Sequence, residues 1–224
     1  MIDDFVYAPP ETPYLTILFQ DDDILVLDKP SGLLSVAGRL AIHKDSLQTR
    51  VQRVFPTSQV VHRLDMSTSG LMIMALNKAS HRHLSRQFQD RKIEKRYLAR
   101  VFGKPTTDYG SIDLPLICDW VNRPKQKVDC DVGKPSLTNW KVLQSNDQSS
   151  LVELEPVTGR SHQLRVHMQS IGHPILGDKF YAHKDALCLS SRLDLHAAYI
   201  KFMHPVTNDF LEFSIDIEFE ELLK

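Results

Sequence analysis

The segment Val61 to Gly70 reads V-H-R-L-D-M-S-T-S-G and runs without a break into the apolar stretch Leu71-Met72-Ile73-Met74-Ala75-Leu76. Six successive apolar residues preceded by a short polar segment predict a buried strand entered from a loop. Val60-Val61 closes the other side, so an Arg, an Asp and three hydroxyls sit between two buried elements. That arrangement commonly builds a site. Taken alone, Asp65 and Ser67 read equally well as turn residues that bond their own backbone.

Nothing in the 224 residues approaches the roughly 20-residue apolar run of a membrane span, and Met1 to Glu11 lacks a basic and apolar leader. The expectation is therefore a cytoplasmic protein. Cys118, Cys130 and Cys188 are far apart and make no C-x-x-C pair, so they read as reduced thiols. The net charge of -1 conceals an uneven distribution. Residues 1–28 hold seven acidic residues and no Lys or Arg, and residues 209–224 hold six acidic residues against one Lys. Between them, Lys78 to Lys104 carries nine basic residues against Asp90 and Glu94. Such a stripe suits a phosphate backbone, although basic runs are also simply solvated faces.

Taken in order, residues 1–13 carry three prolines and no periodicity, which predicts an N-terminal arm. Leu15–Phe19 and Ile24–Leu27 flank Asp21-Asp22-Asp23 as a hairpin, and Lys29-Pro30-Ser31-Gly32 follows as a loop. Asp45 is placed to cap a helix with Leu47, Val51 and Val54 on one face. Asn77 caps a second helix, about Lys78 to Asp90, with Leu84 and Phe88 inward and Arg82 and Arg86 on a neighbouring face. From Lys95 the alternation of Arg96 and Tyr97 predicts a strand. Cys118 to Lys134 reads as an irregular binding loop. Ser136–Leu143 and Leu151–Leu154 read as strands, and a helix with Ser161 as cap presents Leu164, Met168 and Ile171. Leu193–Phe202 and Phe210–Ile217 complete the strands before a short acidic tail. Strands outnumber helices and do not alternate with them, so the class is α+β with a largely antiparallel or mixed sheet.

Among chemistries, the ten histidines show no metal-ligand spacing; His81 and His83, two apart on a helix, diverge. No G-x-S-x-G elbow, Walker loop or G-x-G-x-x-G occurs. The site-like segments offer Asp65 as their carboxylate, which suits a reaction that needs no activated water.

His62-Arg63-Leu64-Asp65 with Thr68-Ser69-Gly70 resembles the H-R-L-D-x-x-T-S-G signature of the RluA-type pseudouridine synthases. Lys29-Pro30-Ser31-Gly32, Lys95-Arg96-Tyr97, Gly159 to His167 (G-R-S-H-Q-L-R-V-H) and Gly172 to Asp178 (G-H-P-I-L-G-D) are similar to further motifs of that family, in the same order. Ile117 to Trp120 with Asn122 to Lys127 resembles the branch that accepts both large-subunit (23S) rRNA and the anticodon stem-loop of certain tRNAs.

The resemblance implies the pseudouridine synthase fold, a central sheet with flanking helices and an active-site cleft across it. It also implies isomerisation of uridine to pseudouridine in structured RNA, without cofactor or metal. Asp65, Tyr97 and Arg165 match the family's catalytic Asp, Tyr and Asp-pairing Arg. Arg63 matches the residue that fills the place of the flipped base, and Leu164 becomes pocket wall. His62 and Arg160 fall in the same motifs and are grouped with the substrate-binding residues, though His62, like His167, also reads as structural. An ionised Asp65 would serve attack on the base, attack on C1′, or removal of a ribose proton. With residues 14–224 as one catalytic domain and no separate RNA-binding domain, recognition falls to Arg82, Arg86, Arg91, Lys92 and Arg96 and to Arg123, Lys125 and Lys127. The expected partner is RNA, bound by a monomer.

Overall fold

In the computed structural model, which describes residues 6–217 and 219, the two apolar runs around Asp21-Asp22-Asp23 form the antiparallel pair β1 (Thr16–Gln20) and β2 (Ile24–Lys29). The turn closes on the Asp21 carboxylate, which accepts from the backbone amides of Asp23 and Ile24, each at 2.8 Å. The chain divides into two compact units, residues 1–93 with 201–213, and residues 94–200 with 214–224.

In the first unit, α1 (Leu47–Gln52), β3 (Gln59–Val60), β4 (Ser69–Ala75) and α2 (Lys78–Gln89) follow β2. The strand order is β1-β2-β4, with β3 also on β4, and the apolar run forms the expected buried strand as far as Ala75: every residue of β4 is buried. The α1 cap is Ser46 rather than Asp45, in a capping box with Thr49. Asp45 instead forks onto the fully buried Arg50 at 2.6 and 2.9 Å, and Arg50 holds the Asp45 carboxylate below its usual pKa. The helix stops at Gln52, which leaves Val54 exposed rather than on the inner face. Residues 6–13 form neither helix nor strand. They are nonetheless fastened down, since Arg50 donates to the Pro10 and Tyr14 carbonyls and Tyr7 Oη donates to the Asp45 carbonyl. Asn77 caps α2 as expected, accepting from the Ser80 amide.

The second unit contains β5 (Glu94–Phe102), β6 (Tyr109–Asp113), β7 (Leu116–Cys118), β8 (Gln126–Val128), β9 (Leu137–Ser145), β10 (Ser149–Pro156), α3 (Gln163–Ser170), α4 (Lys184–Cys188) and the first six residues of β11 (Leu195–Met203). Its order is β11-β5-β10-β9-β6, with antiparallel pairing from β5 through β6. Ala99, Val101, Val152, Leu154, Leu164 and Met168 form its core, with α3 laid on the sheet by its apolar side. The end of β11 returns to the first unit, where β12 (Phe210–Ser214) pairs with β11. The acidic tail beyond Ile217 lies outside the described residues, apart from Phe219.

Two further elements differ in detail from the sequence reading. Within the irregular stretch from Cys118 to Lys134, β8 pairs back on β7 as a small antiparallel hairpin, while residues 119–125 and 129–133 remain turns without regular structure. The residue entering α3 is His162, in the left-handed conformation at φ 54° and with no side-chain cap, so Ser161 is not the cap.

Candidate active site

In the first unit the Asp65 segment is clasped from behind by residues 29–35. The Lys29 ammonium is fully buried and donates to the carbonyls of Pro30, Leu33 and Met66 at 2.9, 2.8 and 3.1 Å. The Gly32 amide also donates to Met66 O, at 2.9 Å, and Ser31 Oγ donates to Ser67 O at 2.8 Å. On the other side of Asp65, Ser35 Oγ donates to Leu64 O at 2.7 Å and accepts from Leu64 N at 3.1 Å. The backbone is thereby fixed on both flanks of Asp65, whose own carbonyl accepts from Thr68 N. Asp65 itself is half-buried and Arg63 is exposed. This gives the Lys29-Pro30-Ser31-Gly32 motif a physical task, which is to set the position of the carboxylate two loops away.

His62 is tied into the same unit. Its Nε2 accepts from the Ile73 amide of β4 at 2.9 Å, and its ring stacks on Phe88 of α2 with centroids 4.5 Å apart. These contacts match the structural reading of His62.

In the second unit Arg165 projects from α3 and forks onto Asp178, Nε to Oδ2 at 2.8 Å and Nη2 to Oδ1 at 2.7 Å, with both residues buried. Asp178 Oδ1 also accepts from the amides of Phe180 and Tyr181. Sequence reading missed this carboxylate, although it stands at the end of the quoted G-H-P-I-L-G-D. The available signal was an Asp one glycine after apolar Ile175 and Leu176, because a buried carboxylate requires a cation. Gly177 makes its approach possible: φ is 69°, and a Cβ there would lie 1.7 Å from the Arg192 carbonyl oxygen.

The guanidinium of Arg165 also lies 5.1 Å from the ring centroids of Phe180 and Tyr181. The Tyr181 hydroxyl accepts from Gln126 N at 2.7 Å and sits 2.7 Å from His162 Nδ1. His162 stacks on Phe180, which helps to hold its left-handed backbone. Tyr181 therefore joins the β8 hairpin strand to the entrance of α3. Tyr97 on β5 is partly buried against the core that contains Leu164, opposite Leu154 in register. Arg160 is exposed and donates through Nε to Pro135 O. His167, by contrast, is buried, bonded to Thr138 Oγ1 and Leu114 O, and kept neutral by desolvation.

The basic residues separate by environment. Arg82, Arg86, Arg91 and Lys92 are exposed on and just beyond α2, where Arg86 stands 3.7 Å from Asp90. Arg96 lies over the Tyr199 ring at 3.8 Å, with Glu153 at 3.8 Å. Burial lowers the pKa of Lys95. Arg100 does not belong to the stripe, because it is buried and paired with Asp194 at 2.6 Å. Arg123, Lys125 and Lys127 lie on the hairpin, Arg123 in the turn and Lys127 within β8.

Among the described residues, Asp21, Asp23 and His204 bring potential metal-ligand atoms within 4.8 Å of one another. Their atoms are engaged in holding turns. His204 Nδ1 accepts from Val206 N and Thr207 N, which leaves Nε2 to donate to Asp21 at 2.9 Å, while Asp23 accepts from Asn77 and Ser80.

Residues 23–170 match the RNA pseudouridylate synthase family. The chain is 54% identical over 214 residues to the dual-specificity RNA pseudouridine synthase RluA of Salmonella typhimurium, covering 95% of this chain and 98% of that protein. It is 53% identical over 214 residues to the protein of that name from Escherichia coli K12, with the same coverage. Among solved structures, human RNA pseudouridylate synthase domain containing 1 is similar with a TM-score of 0.77 and 31% identity, across 100% of this chain and 89% of that one. The chain has the α+β fold of these proteins, is an isomerase acting on RNA, and belongs to the RNA pseudouridylate synthase family.

Proposed function

We propose that the protein isomerises uridines in two classes of structured RNA, large-subunit (23S) rRNA and the anticodon stem-loop of certain tRNAs. The dual specificity for which its relatives are named supports this range. Residues 14–224 serve as one catalytic domain, working as a monomer in the cytoplasm.

The observation that carries the catalytic reading is the Asp65 segment, a half-buried carboxylate on a backbone pinned at Leu64, Met66 and Ser67 beside an exposed Arg63. In the reaction the bond from ribose C1′ to N1 breaks, the base turns, and C5 joins C1′. The C5 hydrogen leaves as a proton and N1 gains one, so no oxidant or water is consumed. Asp65 supplies the ionised carboxylate. Tyr97 offers a ring face and a hydroxyl to the uracil. Arg165 joins the catalytic set as the match to the family's Asp-pairing Arg. Arg63 fills the gap left by the extruded base, a task suited to a planar guanidinium. Leu164, His62 and Arg160 border the nucleotide, and Arg82, Arg86, Arg91, Lys92, Arg96, Arg123, Lys125 and Lys127 contact the RNA backbone.

The test is tritium release from stem-loop RNA labelled at uridine C5, together with chromatography of the products. Release with pseudouridine in the RNA is the expected result. Free uracil would mark a hydrolytic glycosidase instead, and binding without release would mark an RNA-refolding protein.

A further inference from the structure

The turn between β7 and β8 places an indole in solvent: Trp120 is 68% exposed and its neighbour Val121 is 93% exposed. The Arg123 guanidinium lies over the Trp120 ring, 3.3 Å from its centroid, and among the described residues no carboxylate pairs with Arg123. The turn is held by its own bonds. Asn122 donates from its amide to Asp119 O at 3.1 Å and from Nδ2 to Asp119 Oδ2 at 2.8 Å, and the Asp119 amide donates to Lys125 O at 2.9 Å. At its base, Gln126 N donates to Tyr181 Oη, so the tip is anchored to the cluster around Arg165.

Exposing a Trp forfeits the burial that stabilises most aromatic residues, and this one is braced rather than covered. A braced indole with a planar cation on one face leaves the other face open to a second flat, electron-rich ring. Lys125, in the turn, and Lys127, within β8, follow it in the chain and supply the positive charge that accompanies base-stacking aromatics where a single strand is bound. In the sequence the basic residues of this segment are the expected phosphate contacts, and Trp120 stands in the loop motif without a role of its own.

We propose that Trp120, braced by Arg123, is a stacking platform for one unpaired nucleobase of the RNA loop, with Arg123 and Lys125 holding the adjoining phosphate. This rests on the proposed action on structured RNA and makes the hairpin tip a specificity element. The platform selects RNAs whose loop can release a second base besides the reacting uridine. A fully stacked loop gives it nothing to hold.

The experiment compares wild type, Trp120→Ala and Trp120→Phe on a stem-loop RNA labelled at uridine C5, and on versions in which each other loop nucleotide in turn is abasic. Loss of one base–aromatic stack predicts a roughly five- to hundredfold fall in kcat/KM for Trp120→Ala, with kcat at saturating RNA unchanged. Trp120→Phe should recover most of the loss. At one loop position the abasic RNA should be used equally by wild type and Trp120→Ala. Equal kcat/KM for wild type and Trp120→Ala on the intact RNA would overturn the proposal. A loss of the same size on every abasic RNA would also overturn it, as expected if the tip instead docked a protein or acted only by packing. Trp120 fluorescence, isolated by difference from Trp120→Phe, should be quenched by RNA binding. That reading survives even if wild type releases no tritium, in which case the reaction assignment fails and the platform stands.

Discussion

The buried ammonium of Lys29 donates to the backbone carbonyl of Met66, the residue directly after Asp65, from the far end of β2. A lysine placed fully inside the protein must be surrounded by acceptors, and the three carbonyls it binds all belong to loops around the carboxylate. Replacing it by Met keeps the volume of the stem and removes the donors. Lys29→Met should cost on the order of 3 kcal/mol in urea unfolding. It should also slow turnover at saturating RNA more than it weakens RNA binding, because the Asp65 backbone is released while the basic surface is untouched.

Arg165 and Asp178 form a buried, two-bond ion pair. Removing one partner strands the other charge, so Asp178→Asn should destabilise the protein by about 3–5 kcal/mol. The double variant Arg165→Met/Asp178→Leu should recover much of that stability in thermal melts while remaining inactive. Recovery of activity along with stability would remove Arg165 from the catalytic set.

Two buried histidines give the fold a pH dependence. Desolvation lowers the pKa of His167, and lowers that of His196 from 6.5 to about 4 with help from Arg192. Both are neutral in the folded protein, whereas the unfolded chain takes up their protons near pH 6.5. Stability is therefore complete above pH 6.5 and declines as pH falls from there toward 4. The His196 share amounts to about 3 kcal/mol by linkage. Thermal melts from pH 7.5 to 4.5 should show this decline, and His196→Gln should make it shallower.

Arg63 is exposed beside a pinned Asp65. If it replaces the extruded base in the helix stack, Arg63→Ala should slow tritium release more from a structured stem-loop than from a short unstructured strand. Equal losses on both RNAs would remove that role.

Much of this arrangement is legible in the sequence because the signals are local. The first five of the six apolar residues after Gly70 lie in a wholly buried strand, and Asn77 caps its helix because both depend on neighbours in the chain. The motif around Asp65 is contiguous, so it can be recognised before any fold is known. Asp178 and Arg100 are different, since each is defined by a partner that only the fold supplies. Arg100 looks like a member of a basic stripe until β5 buries it against Asp194. Asp45 looks like a cap until Ser46 and Thr49 satisfy the helix start, which frees its carboxylate for Arg50. Trp120 stands in a recognisable loop motif, but its exposure follows only once the segment folds into a hairpin with its tip in water.

The central claim is that the Asp65 carboxylate does the chemistry, and Asp65→Asn tests it with the fewest other changes, since the side chain keeps its shape and loses its charge. Under single-turnover conditions, with enzyme in excess over C5-tritiated stem-loop RNA, the account predicts a release rate at least roughly a thousandfold below wild type, with RNA affinity retained. Release from Asp65→Asn at the wild-type rate would contradict it.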